Sequence, residues 1–435
     1  MGDTILGKTK AYLDESISDL DAVRDLYIKH PGVDFTRTRK ISFTDVFKCM
    51  INWQGKSTGN EIMDHFGHHD TDPSASAFIQ QRDKIDTGAF EFLMHTFDEK
   101  CQPLNDLDYR GYRLLACDGS DFNISRDPDD EETFINEGEK GYNMIHVNAF
   151  YDLQNLVYTD ITFQGKKKVH EREACNRMLD RVRDGEHTIV IMDRGFESFN
   201  TFAHAIENGV MFVTRLKDID SNGILSAYEL PDGEFDMDIK TTLTRRHTKE
   251  TKGNPDKYTI LHAYTDFDYL TETQRYYDIS FRIVRFRIAD GSYGCVATNL
   301  PREEFPPDVM SDLYHRRWGE ETSFRELKYT IGAVNFHSKK RDFIKQEIYT
   351  RVVFYNFCST VTNHAEIETG EDAMHEYQIN FSAGANVCRE YLKNGGDEAE
   401  MMRVIQRHLT PIRNNRNYPR NVRPQRNRNF MYRAS

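Results

Sequence analysis

The sequence predicts an α/β fold: a mixed sheet with helices packed on it, helical regions at both ends, and a mostly β interruption. Three observations carry this. Apolar residues recur at helical spacing through about the first 100 residues and again from about Pro307 to Leu409. Between these regions, short apolar runs and helical patterns follow the order strand, hairpin, helix, strand, helix, strand. Residues 217–297 are then rich in Thr and Tyr and are punctuated by turn signals such as Ser221-Asn-Gly223 and Pro231-Asp-Gly233.

Taken in chain order, helices are predicted around Thr9–His30, Phe43–Trp53 and Phe90–Phe97. Asn60–Phe66 and Ser74–Ile85, separated by a gap containing Gly67 and Pro73, have the outline of a helix-turn-helix. In its second helix Ser74, Ser76, Gln80, Gln81, Arg82 and Lys84 are candidates to face a nucleic acid, with Arg37, Arg39 and Lys40 on phosphates nearby. The competing reading is a helical bundle with a polar exterior. His65, His68 and His69 have no matching Cys/His cluster elsewhere, so no zinc site is expected there.

Tyr112–Cys117 is a short apolar run that closes on Asp118-Gly119-Ser120. Ile145–Tyr151 and Leu156–Phe163 read as a hairpin, and Glu171–Val182 as a helix with Ala174, Met178, Leu179 and Val182 on one side. His187–Met192 is a β-branched run closing on Asp193-Arg194-Gly195, Phe199–Glu207 a helix stopped by Asn208-Gly209, and Val210–Arg215 another strand.

Composition narrows the class. The 435 residues are 38% hydrophobic and 29% charged, an ordinary globular balance. No apolar run is long enough for a membrane helix, and the N-terminus does not read as a secretory signal; the scattered cysteines fit a reducing, cytoplasmic interior best. Seven cysteines without a CxxC pair argue against a disulfide framework or a zinc ribbon. The net charge of −13 conceals an asymmetry: from Pro411 to Ser435 there are seven arginines (413, 416, 420, 423, 426, 428 and 433) and no acid. Such a tail suits phosphate contact through counterion release; the competing reading is a solubilising end.

Acids placed straight after buried apolar runs sit at a sheet edge, where carboxylates from separate strands converge. Converging carboxylates repel one another unless cations lie between them, and oxygen ligands favour Mg²⁺ or Mn²⁺. Two such ions can activate a water or a 3′-hydroxyl and stabilise the leaving oxygen in phosphoryl transfer. Asp118 and Asp193 are therefore candidate metal ligands, against the alternative that each only caps the turn that follows.

The stretch Leu313–Lys328 carries Tyr314, Arg317, Glu321 and Lys328 at offsets of 0, 3, 7 and 14. On an α-helix these fall within an arc of roughly 60°, and Arg325 shares the face. An acid flanked by three cations and a Tyr suits a metal ligand set beside a DNA backbone; the competing reading is a salt-bridged surface helix.

Tyr314-x2-Arg317-x3-Glu321-x6-Lys328 resembles the Tyr-Arg-Glu-Lys signature of insertion sequence 4 family DDE transposases. Asp118-Gly-Ser and Asp193-Arg-Gly-Phe resemble the family's first two acid motifs. Their spacing fits too, at 75 residues (193 − 118) and then 128 (321 − 193), leaving room for a β insertion. The resemblance covers roughly residues 35–430. It implies an RNase H-like core in two parts, 106–216 and 298–370, around the insertion at 217–297. A helical DNA-binding region at 1–105 and C-terminal helices with a basic tail at 371–435 complete the expected organisation. It further implies Asp118, Asp193 and Glu321 as catalytic ligands of two Mg²⁺ (or Mn²⁺) ions, with Tyr314, Arg317, Arg325 and Lys328 on DNA. The implied substrates are transposon inverted repeats and target DNA, handled by a homodimer in a prokaryotic, nucleoid-associated setting. An RNase H-like nuclease without strand transfer and an inactive DNA-binding regulator are the alternatives.

Overall fold

The computed structural model describes residues 4–37, 39–137, 140–219, 221–289, 292–367, 377–412 and 430–432, apart from the side chains of 168, 289, 318–321 and 431. Five helices open the chain: α1 (Ile5–Ala22), α2 (Phe43–Ile51), α3 (Thr58–Phe66), α4 (Ala75–Arg82) and α5 (Thr87–Cys101). Their starts follow from local chemistry. Thr4, Ser42, Ser57 and Ser74 each accept a hydrogen bond from a first-turn amide of the helix they precede. Gly67 closes α3 at a φ of 101°, a conformation that costs glycine little.

The middle of the chain forms β1 (Arg113–Ile124), β2 (Phe134–Ile135), β3 (Tyr142–Asp152), β4 (Val157–Gly165), α6 (Glu171–Leu179), β5 (Thr188–Met192), α7 (Phe199–Glu207) and β6 (Met211–Arg215). Then follow β7 (Phe235–Thr244), the short α8 (Lys249–Gly253), β8 (Tyr258–Ile260), β9 (Tyr276–Ala289) and β10 (Ser292–Thr298). All ten strands join one sheet in the order β2-β3-β1-β5-β6-β10-β9-β7-β8, with β4 also on β3. β1, β5 and β6 run parallel, while β10 pairs β6 antiparallel through Val296–Thr298. The β interruption is thus not a separate layer. Its strands prolong the core sheet.

The C-terminal part holds α9 (Pro307–His315), α10 (Gly319–Arg325), β11 (Asn335–Phe336), α11 (Arg341–Asn363), β12 (Tyr377–Ile379), α12 (Phe381–Asn394), α13 (Glu398–Arg407), β13 (Leu409–Pro411) and β14 (Met431–Tyr432). Helix α11 is buried along nearly its whole length, with Ile348, Val352, Phe354, Phe357 and Val361 among its core residues. Apolar residues on all its sides suit a helix enclosed by other elements. It packs against α1, α2 and α5 on one side and β4 on another, so the N-terminal helices and the sheet share a single apolar core. On the opposite face of the sheet α6 and α7 cover Leu115, Cys117, Phe150 and Phe212. Helix α9 covers Leu114, Ile189 and Ile191 through Met310 and Leu313. The alternation of Leu114 and Leu115 between clusters is the two-residue period of a strand.

One expectation is corrected here. Arg82, placed by the sequence on a DNA-reading face, is buried. Its Nε donates to Gln346 Oε1 at 2.7 Å and its Nη1 to Glu347 Oε1 at 3.0 Å, with a further bond to the Phe343 carbonyl. It is the ionic pin between α4 and α11. Arg82→Ala leaves the buried Glu347 carboxylate with His337 alone and Gln346 and the Phe343 carbonyl without their donor, and is expected to destabilise the fold by about 3–5 kcal/mol. Denaturant unfolding checks this, and a midpoint equal to that of the wild type would contradict it.

Candidate active site

Strands β1 and β5 place the first two acids. Cys117 pairs with Met192 in parallel register, so Asp118, inside β1, lies level with Asp193, the first residue past the end of β5. Neighbouring strands lie roughly 4.8 Å apart. With a two-residue period, the Asp118 side chain takes the face opposite Cys117. Each carboxylate is aimed by a glycine amide. Gly119 N donates to Asp118 Oδ1 at 2.8 Å, and Gly195 N donates to Asp193 Oδ1 at 2.6 Å. Asp193 therefore does cap the short 3-10 turn Arg194–Phe196, as the alternative reading required. A cap of this kind engages one oxygen.

Burial pushes the Asp118 carboxyl above the usual carboxylate range, and the charges of Asp193 and Glu171 add to that. The Gly119 amide and the Arg317 guanidinium pull the other way. Arg317 is buried, with Nη1 4.0 Å from Asp118 Oδ2. Burial works against its charge, but Tyr314, Asp118 and Asp193 more than compensate and hold its pKa above the ordinary value. Tyr314 is buried too, with the Arg215 guanidinium 5.7 Å from its ring centre.

The segment carrying the third acid differs from the single α-helix expected. Tyr314 lies in the last turn of α9, Arg317 in a 3-10 turn (Arg316–Trp318), Glu321 in α10, and Lys328 in a π turn (Glu326–Thr330). Ile331 N bonds Glu326 O across five residues at 2.9 Å, which is the mark of the wider turn. The common face of an ideal helix therefore does not hold along the whole segment. The side chain of Glu321 lies outside the described residues.

Lys328, expected on phosphates, turns inward. Its Nζ donates to Ser120 Oγ and to the Asp121 carbonyl, both at 2.7 Å, and sits 4.6 Å from the Phe122 ring centre. Burial pulls its pKa down to about 8. Arg325 is exposed, as are Arg37, Arg39 and Lys40. Arg37 and Arg39 line a surface cleft of about 650 Å³ with Gln81 and Lys84. Lys84 is half-buried, 3.4 Å from Asp34, and Lys40 donates to the Thr71 carbonyl. The seven tail arginines lie outside the described residues.

The sequence reading missed two residues. Glu171, first in α6, acts on Asp118 electrostatically, and His146 on β3 touches Glu171. Glu171 had only the bland signal of an acid at a helix start. Among the described residues, no group of three His, Cys, Asp or Glu side chains is arranged to hold a metal ion. Among them, too, no helix is long and apolar enough to cross a membrane.

Comparison with known proteins bears on this geometry. The family model described as "Transposase DDE domain" matches residues 109–357. The chain is 22% identical over 372 residues to the transposase InsG for insertion sequence element IS4 of Escherichia coli (strain K12), covering 80% of this chain and 76% of that protein. Among solved structures, the piggyBac transposase synaptic complex with hairpin DNA aligns with a TM-score of 0.45 at 10% identity, over 92% of this chain and 81% of the other.

Proposed function

Because the chain belongs to the transposase DDE domain family, and so is a DNA transposase related to the IS4 group, we propose that its cutting and joining centre is built on Asp118 and Asp193 and completed by Glu321. The observation that carries this reading is the parallel register of β1 and β5, which brings Asp118, within β1, level with Asp193 at the end of β5. Membership of the family implies chemistry dependent on divalent metal in general.

The donor set fits hard cations. Asp118 is a carboxylate raised by burial and by two acidic neighbours, and a cation held between the acids removes that penalty. We assign two Mg²⁺ ions, or Mn²⁺ in their place, to Asp118, Asp193 and Glu321. When bound, such ions supply charge stabilisation at the attacking and leaving oxygens. The chain's own residues do the rest. The Gly119 and Gly195 amides aim the two aspartates. Arg317 keeps a positive charge beside them that suits a phosphate entering the site, with Tyr314 buttressing it. Exposed Arg325 suits the DNA backbone, and Arg37, Arg39, Lys40 and Lys84 suit phosphates further out. We assign the role of DNA partner to transposon inverted repeats and target, bound by a homodimer that holds two ends.

Incubating the protein with paired transposon-end DNA, a target plasmid and Mg²⁺ tests this. End cleavage followed by joining to the target is expected, and both are lost on chelation. Cleavage without joining identifies a nuclease instead. Specific binding with neither step identifies a DNA-binding regulator.

A further inference from the structure

The two glycines that aim Asp118 and Asp193 are backed by one polar pair. A side-chain carbon at position 119 would overlap His146 Nε2, so the imidazole fills the space that glycine leaves. His146 is cross-strand partner to Asp121, and its Nδ1 lies 2.7 Å from Asp121 Oδ1. Its Nε2 lies 3.0 Å from Glu171 Oε1, an ion-pair approach without hydrogen-bond alignment. Lys166 closes the far end, 2.8 Å from Asp121 Oδ2. The other Glu171 oxygen lies towards the second glycine: a side-chain carbon at position 195 would be 2.9 Å from Asp193 Oδ1 and 3.8 Å from Glu171 Oε2. Next to it, Arg172 Nε donates to the Gly195 carbonyl at 2.7 Å. The first turn of α6 is thereby tied to the loop that carries Asp193, and through His146 to the strand that carries Asp118.

We propose that His146 and Glu171 are positioning residues, a brace that fixes Gly119 within its strand and the Gly195 turn and so sets the spacing of Asp118 and Asp193. The inference rests on those aspartates being the site's acids. The brace's packing contacts run to Gly119 and the Gly195 turn, and Glu171 also acts on Asp118 through its charge. Its role is to hold a distance that hard cations demand; groups just outside the ligands typically change metal affinity by about 10- to 100-fold when removed.

The test is Mn²⁺ binding to the full-length, DNA-free protein, followed by calorimetry well below the unfolding temperature. His146→Ala and Glu171→Gln are each expected to weaken Mn²⁺ binding by about 10- to 100-fold while cooperative unfolding is retained. The double variant is expected to be no weaker than the poorer single one, because either change opens the same link. Glu171→Gln keeps shape and guards against a folding defect in His146→Ala. Wild-type Mn²⁺ affinity in both single variants, or additive losses in the double, overturns the brace. If Asp193→Asn loses Mn²⁺ while the single variants bind normally, the brace falls and the acid reading stands. Wild-type affinity in Asp193→Asn overturns both.

Discussion

Asp118→Asn is expected to reduce Mg²⁺-dependent DNA cleavage on the order of 10⁴-fold, while DNA binding survives. Asparagine has the shape of aspartate, and its side-chain oxygen still accepts the Gly119 amide bond seen at 2.8 Å. The strand, its register with β5 and the site's outline are therefore kept. What disappears is the charge through which Asp118 is proposed to hold a cation. Asp193→Asn is expected to behave alike, since the Gly195 amide bond survives in the same way. Stability should move in the opposite direction from activity. A carboxyl whose folded-state pKa is raised binds its proton more tightly folded than unfolded. Stability from that group is therefore present at low pH and is lost as pH rises through the window above the unfolded value of about 3.9. At neutral pH the metal-free wild type carries this penalty, and Asp118→Asn removes it. Thermal melts should show the variant at least as stable as the wild type without metal, and only the wild type stabilised by added Mn²⁺. Cutting by Asp118→Asn at the wild-type rate would remove Asp118 from the metal site.

Much of this proposed centre was legible in the chain because its signals are local. An apolar run closing on an acid marks a buried strand, and that pattern singles out both Asp118 and Asp193. The helix Phe199–Glu207 was delimited to the residue, since Ser198 caps its start and Asn208-Gly209 stop it. Strand β1 was read as ending at Cys117 but runs to Ile124, because its second half pairs with β3 after β5 has stopped. That pairing is non-local and leaves little local trace. The antiparallel joining of β10 to β6, which makes the insertion part of the core sheet, was hidden for the same reason. So was Arg82, a residue type read as exposed until Glu347, 265 positions away, neutralises it. The breaks in the signature segment were invisible for a different reason. Residue spacing assumes a uniform helical turn, and nothing in Arg316–Trp318 or Glu326–Thr330 announces a tighter or wider one.

Lys328→Met is expected to lower cleavage and joining on the order of 10²-fold, and its pH dependence separates charge from architecture. An ammonium has three donors. Two of those of Lys328 go to Ser120 Oγ and the Asp121 carbonyl, on the strand that carries Asp118. Losing one proton above a pKa of about 8 leaves two N–H groups, enough for both bonds. The geometry then persists while the positive charge on the strand that carries Asp118 is gone. Wild-type activity should therefore fall as pH rises through about 8. The same group makes stability move the other way. Its folded-state pKa lies below the unfolded value of about 10.4, so the unfolded chain binds more protons between the two. Its contribution to stability consequently rises with pH across that window, as the cost of burying a charge is relieved. Falling activity with rising stability over one pH range is a signature that general alkaline unfolding does not produce. Lys328→Met removes the titrating group and should flatten both slopes, at the cost of leaving Ser120 and the Asp121 carbonyl without their donor. pH–rate profiles from about 6.5 to about 9.5, spanning the folded-state value, together with urea melts over the same range, check the prediction. If Lys328→Met retains the wild-type fall near pH 8, the titrating group lies elsewhere and the inward-facing lysine is a structural tie alone.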